Sequence, residues 1–283
     1  MIDCDQPWDA ASTHITSRKR GATFRRLLRS PGGMLGLVLV VLVVLVAIFA
    51  PVLSPHDPAK QNIVHRLKPP FWVEDGSMEH PLGTDSVGRD ILSRVIHGSR
   101  ISLFVGLAAT VASALLGVSL GLIAGFLGGG TDSVVSRVGD VQQAIPFLVL
   151  AIAVAAMLGP GLFNLILVLV ITTWVTFFRV VRGEELSVRE DPYVMSAHAI
   201  GASKARIILR YILPNVTASI IVIATLLVAN MIIFEASLSF LGLGVPSSIP
   251  TWGRIVADGR EYIAEEWWIA FFPGLAILGT VMG

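Results

Sequence analysis

An all-α integral membrane protein is the fold class this sequence predicts, on three observations. Of its 283 residues 54% are hydrophobic and only 14% charged, against about 45 to 50% and about 25% in ordinary soluble domains. The mean hydropathy is +0.75. The apolar residues also fall into runs of about 17 to 25 residues, the length that crosses a bilayer as a helix. Six such runs stand at residues 34 to 53, 101 to 127, 138 to 158, 161 to 180, 215 to 240 and 267 to 283.

Residues 1 to 33 form a basic tail. Arg25 and Arg26 before an apolar run, with "AIFAP" near its end, resemble an export signal. The run from Met34 to Leu53 is too long for one, since a signal core holds about 7 to 15 residues, so it is expected to stay as the first span. Cys4 has no apolar run before it and no second cysteine to pair with, and is expected as a free thiol. Residues 54 to 100 make a long loop. Its turn-rich part (Pro81, Gly83, Asp85, Gly88) leads into an amphipathic run, Ile91, Leu92, Val95 and Ile96, expected to lie along the membrane face before span two.

Span two places Ala109, Ser113, Gly117, Gly121 and Gly125 at every fourth position. Small residues at that spacing make a smooth stripe against which a neighbouring backbone can pack closely. The later spans hold few polar residues: Asn164, Thr172 and Thr173 in span four, then Asn230 and Glu235 in span five, with Ser237 and Ser239 beyond. Counted from Asn215 at about 1.5 Å per residue, Asn230 stands about 22 Å and Glu235 about 30 Å along the helix. Asn230 and Glu235 are the candidates for lining a translocation path, and the height of Glu235 leaves open that it is simply wet. The sixth run reaches Gly283 within "ILGTVMG" without a polar stop, so a further stretch of chain is expected.

Orientation follows from Lys and Arg, which favour the cytoplasmic side. With the N-terminus inside, 13 of the 21 basic residues lie in inner segments. The eight in outer segments are diluted by Asp57, Glu74, Asp75, Glu79, Asp85, Asp90, Glu261, Glu265 and Glu266. The N-terminus and the segment after span four are therefore expected in the cytoplasm.

Several function classes lack their residues. A net charge of +1 argues against nucleic-acid binding. No Gly-x-x-x-x-Gly-Lys-Ser/Thr occurs, and none of Lys19, Lys60, Lys68 and Lys204 follows a glycine, so no nucleotide P-loop is present. No His-Glu-x-x-His, Gly-x-Ser-x-Gly or cysteine cluster occurs, and the six histidines are scattered. No catalytic residue, metal centre or cofactor is expected in this chain. An ion-coupled carrier would need internal repeats or a charge near mid-membrane, and neither is evident.

The cytoplasmic segment at residues 183 to 214 is the exception to the lipid-soluble pattern. Asp191 and Pro192 suit a helix start, with the Asp able to cap free N–H groups. The short helix should end at Gly201, where the missing Cβ allows a sharp turn, and a second helix from Ser203 should be ended or kinked by Pro214. The exposed face of this elbow is small and apolar at Val194, Met195, Ala197, Ala199 and Ile200. A partner covering it would account for that, as would an amphipathic linker on lipid headgroups with Lys204, Arg206 and Arg210 snorkelling.

"SAHAIGASKARIILRYILPN" resembles the cytoplasmic EAA motif of ABC-importer permeases. Gly201, Leu213, Pro214 and Ala197 match it, whereas Met195, Ser196 and Tyr211 stand where the family has Glu, Ala and Ile. "HPLGTDSVGRDILSRVIHGSRISL" and "FEASLSFLGLGVPSSIPTWGRIV" are similar to the second permease subunit of the dipeptide, oligopeptide and nickel subfamily. The resemblance implies a type I importer (MetI-like) fold with six transmembrane helices in a bacterial inner membrane. It implies four kinds of partner: a sister permease, two P-loop ATPase subunits holding ATP and magnesium, an extracytoplasmic binding protein, and lipid. It further implies that Tyr193, Val194, Met195, Ser196, Ala197, Ala199, Ile200, Gly201, Leu213 and Pro214 couple to the ATPase.

Overall fold

The computed structural model describes residues 30–283. The expectations for Cys4 and for the basic residues from Arg18 to Arg29 lie outside the described residues. Within them the chain is helical, with turns and one isolated antiparallel bridge between Thr84 and Asp90.

Helix α1 (Pro31–Ile48) begins with proline at its first position, where no backbone N–H is needed, and continues as the single turn α2 (Ala50–Leu53). After a long loop comes α3 (Ile91–Leu127), then α4 (Gly129–Ala144), α5 (Phe147–Leu158) and α6 (Leu162–Val188). The second half holds α7 (Pro192–Ala199), α8 (Lys204–Ile207), a π-helical turn over Ile208–Ile212, α9 (Leu213–Phe240), α10 (Trp252–Gly259) and α11 (Trp268–Met282).

The six expected spans are met in part. Among the described residues, four helices are long and apolar enough to cross a membrane: α1, α3, α6 and the continuous Lys204–Phe240 rod. A fifth is present if α4 and α5, bent by 98° at their junction, count as one. The break has a local cause: Ile145 precedes Pro146, whose ring disfavours helical geometry in the residue before it, and Ile145 is extended at φ −90°, ψ 127°. Helix α11 has 15 residues, about 22 Å of rise against a hydrocarbon core of about 30 Å.

The amphipathic run is not a separate surface helix either. Asp90 accepts from Ser93 N at 2.8 Å and so caps α3 at Ile91. Ile91 and Val95 therefore form the first turns of a 37-residue helix, where Ile91 is fully buried with Ile255, Trp268 and Ile269.

Helix α3 is the centre of the bundle, with α6 and α9 along it and α1 on its flank. Its small-residue face meets α6. Ala109 and Ser113 are fully buried, and the Ser113 and Thr173 hydroxyls share a hydrogen bond of 2.9 Å. A Cβ at Gly117 would collide with the Trp174 carbonyl and stand 2.7 Å from Phe177 Cβ; one at Gly121 would stand 3.0 Å from the Phe178 carbonyl. The main core lies beside this face, built from Val105, Leu165, Val168, Leu169, Met231 and Leu238.

The two long loops lie at one end of the bundle, since Arg89 and Arg94 reach Asp258. The elbow at residues 192 to 214 lies at the other, where α3 and α6 finish.

Candidate functional site

Helix α7 starts at Pro192, as its sequence suggests, although the Asp191 side chain makes no capping bond; the Asp191 carbonyl takes Val194 N and Met195 N instead. The helix ends in a Schellman motif. Ala202 N bonds to Ala197 O and Gly201 N to His198 O, both at 3.0 Å, with Gly201 at φ +79°. That left-handed conformation favours glycine because a Cβ would crowd the following carbonyl.

Pro214 neither ends nor visibly breaks the next helix. The π-helical turn over Ile208–Ile212 immediately precedes it, and the wider loop of backbone makes room for a ring that would otherwise meet the carbonyl one turn back. Asn215 Nδ2 donates to Tyr211 O at 2.5 Å and to the Tyr193 hydroxyl at 3.0 Å, tying the π turn to α7. Partial burial, with the Asp191 carboxylate nearby, raises the pKa of the Tyr193 phenol.

The apolar face divides into two sets. Val194 and Ala197 are buried at 0% and 3% exposure, packed with Leu122 of α3, Val181 of α6, and Ile207, Ile212 and Val216. The expectation that they form part of the exposed face is corrected, because the i, i+3 spacing turns both toward α6 and α9. Tyr193, Met195, Ser196, Ala199, Ile200 and Gly201 remain exposed, Ile200 at 82%. Leu213 is half-buried and Pro214 exposed. Beside this face a cleft of about 390 Å³ is lined by Phe126, Leu127, Arg189, Glu190, Met195, His198 and Lys204, and the Phe126 and His198 rings stack at 5.6 Å.

The end of α6 is fixed under the elbow by charge. Arg182 forms a bidentate pair with Asp132 of α4, and Arg189 donates to Gly125 O at 2.9 Å. Glu185 is fully buried, its carboxylate against Gly125, where a Cβ would collide with Oε2.

Of the two path candidates, Asn230 is exposed on α9. Glu235 is not wet: it is fully buried, and its Oε1 accepts from Ser239 Oγ at 2.8 Å and Thr251 Oγ1 at 2.7 Å. The loop after α9 folds back over it, a return that helix rise alone does not reveal. Thr251 also accepts Arg254 N at 3.1 Å, capping α10, so Glu235 anchors α10 to the end of α9.

At the loop end Asp85 and Asp258 bridge Arg89, Arg94 and Arg254. Arg89 Nε donates to Asp85 at 2.6 Å and its Nη2 to Asp258 at 3.1 Å, and Arg254 reaches Asp258 at 2.9 Å. The same end gathers His56, His65 and His80, three of the histidines that look scattered in the sequence.

The comparisons with known proteins agree with this architecture. The family of binding-protein-dependent transport system inner membrane components matches residues 117–282. The N-terminal TM domain of oligopeptide transport permease C matches residues 21–70. The chain is similar to the di/tripeptide transport system permease protein DppC of Pseudomonas aeruginosa, 41% identical over 251 residues that cover 89% of this chain and 83% of that one. It is similar to the oligopeptide transport system permease protein OppC of Bacillus subtilis, at 41% over 250 residues (88% and 80%). It also resembles the probable D,D-dipeptide transport system permease protein DdpC of Escherichia coli, at 40% over 268 residues (94% and 88%). A match over more than half the chain, together with these relatives, means that this chain belongs to the family of binding-protein-dependent transport system inner membrane components, the permeases of ABC importers.

Proposed function

We propose that this chain is the permease subunit of an ATP-driven peptide importer, supplying half of the path across a bacterial inner membrane and drawing its motion from separate ATPase subunits. The peptide class follows the names of its relatives. Six crossings are proposed: α1, α3, the bent α4 and α5 pair, α6, the Lys204–Phe240 rod and α11. The N-terminus and the elbow then face the cytoplasm and the two long loops face outward, in keeping with loops and elbow at opposite ends of the bundle.

The elbow carries the reading. Its outward set (Tyr193, Met195, Ala199, Ile200) is apolar and exposed, and its inward set (Val194, Ala197) is keyed into α3, α6 and α9. An exposed apolar apex on a rigid support suits insertion into a groove of a partner. In a chain without a P-loop that partner is the ATPase subunit, which holds ATP and magnesium. Tilting of the permease against a sister subunit, after delivery by an extracytoplasmic binding protein, completes the cycle. This chain is a transport subunit and not an enzyme.

The test is reconstitution with the sister permease, ATPases and binding protein in vesicles. Ile200→Asp should lower ATP-dependent peptide uptake at least about tenfold and weaken ATPase association, because one buried charge costs several kcal/mol at an apolar contact. Uptake by Ile200→Asp equal to the parent, or parent uptake that proceeds without ATPase subunits, would overturn the reading.

A further inference from the structure

The 54 to 90 loop brings together imidazoles that transport, as proposed above, does not use. His80 is 6% exposed, and its ring centroid lies 4.9 Å from that of His56 and 5.7 Å from that of His65. Donor atoms of His65, Glu79 and His80 all lie within 4.8 Å of one another, as do those of His56, His80 and Asp90. Each ring nitrogen that carries no proton has a lone pair to offer a shared metal ion, and imidazole is the commonest metal ligand among side chains.

The two overlapping sets differ in what their carboxylate is already doing. Asp90 Oδ2 accepts from Ser93 N at 2.8 Å and Ser93 Oγ at 2.6 Å, and its Oδ1 faces His80 Nδ1 at 3.1 Å. Moving Asp90 onto an ion would remove the cap of the 37-residue helix α3. Glu79 has no such duty: it is exposed, and among the described residues only its backbone N–H is engaged, by Ser77 Oγ at 3.2 Å.

Asp90 prepares His80 for the other set. A carboxylate can only accept, so Nδ1 carries the proton and Nε2 keeps its lone pair, which is the carboxylate–histidine arrangement that orients metal-binding imidazoles. His65 is partly exposed, and its Nδ1 contact with Asn62 Nδ2 is long at 3.3 Å, weak enough to yield to an ion. Two imidazoles and one carboxylate make the donor set typical of zinc with an open position for water. Bonds of about 2.0 to 2.2 Å would bring the donors about 3.3 Å apart, a closure that the exposed Glu79 side chain can supply by rotation.

We propose that the long outer loop holds one divalent transition-metal ion of the zinc class, ligated by His65, Glu79 and His80, with Asp90 as the residue positioning His80. The ion would pin residues 65 to 80 to the start of α3, next to the Asp85, Arg89 and Asp258 network.

The experiment is zinc binding to the full-length chain without a polyhistidine tag, in lipid nanodiscs, by competition with a chromophoric chelator. One equivalent should bind. Glu79→Gln and His65→Ala should weaken binding at least about tenfold and His80→Ala should abolish it, whereas His56→Ala and His97→Ala should bind as the parent does. Asp90→Asn should weaken binding about 10- to 100-fold, the usual effect of removing such a partner. Because Glu79 is on the surface, Glu79→Gln keeps the fold even if His80→Ala does not. No zinc bound by the parent, full binding by Glu79→Gln and His65→Ala, or loss in His56→Ala with Glu79→Gln unaffected, would each overturn the assignment.

Discussion

Arg94 Nη2 donates to Asp258 Oδ2 at 3.1 Å, joining the first turn of α3 to the last turn of α10 across 164 residues. Both side chains are nearly or fully buried, and Asp85 completes the neutralisation of Arg94 at 3.3 Å. Removing one partner of a buried pair strands the other, which costs about 3 to 5 kcal/mol. Asp85→Ala is therefore expected to lower the thermal unfolding midpoint in detergent by more than any surface Asp→Ala change. Arg254→Ala, whose side chain is 26% exposed, should cost much less.

The stripe on α3 makes a second comparison. Gly117→Val has no room, because a Cβ would collide with backbone of α6, and overpacking costs about 1 to 3 kcal/mol or more. Gly183→Ala on α6 meets nothing within 4 Å and should be neutral or stabilising by up to about 1 kcal/mol. Unfolding midpoints of the two variants check the contrast.

At the elbow, Gly201→Val places a β-branched residue at φ +79°, a strain of about 1 to 2 kcal/mol. The Schellman turn should loosen, and ATPase association should fall while the chain still folds. Val194→Asp is expected to fail at folding, since Val194 is fully buried. Yield of monodisperse protein and ATPase co-purification, measured on both, separate the two effects.

Thr251→Val removes a donor to Glu235 and the cap of α10 together. A loss of about 1 to 3 kcal/mol is expected, visible as faster amide exchange over residues 252 to 259. Ser237→Ala, whose hydroxyl bonds only within its own helix to Ile233 O, should leave that exchange unchanged.

What was legible in the sequence follows a physical pattern. Periodic local signals survived: the four-residue spacing of Ser113, Gly117, Gly121 and Gly125 faces α6, and Gly201 turns the chain where its missing Cβ permits. Signals diluted by averaging did not. Pro146 breaks its span, but lies inside a window whose mean is apolar, and Asp90 caps α3 well before the apolar run that begins at residue 101. Proximity set by irregular loops left no trace at all. Nothing in spacings of nine and fifteen residues says that His56, His65 and His80 will meet, and a height along α9 does not say that Thr251 will return over Glu235.

The cluster under the elbow has a mechanical consequence. Val194 and Ala197 touch side chains from α3, from α6 and from both sides of the π-helical turn. If the elbow couples to an ATPase as proposed, a push on α7 would be shared among α3, α6 and α9 through this one cluster. Close-packed interiors compress little, so on that proposal a displacement at the elbow would pass into the same rods that carry the two long loops at the far end of the bundle.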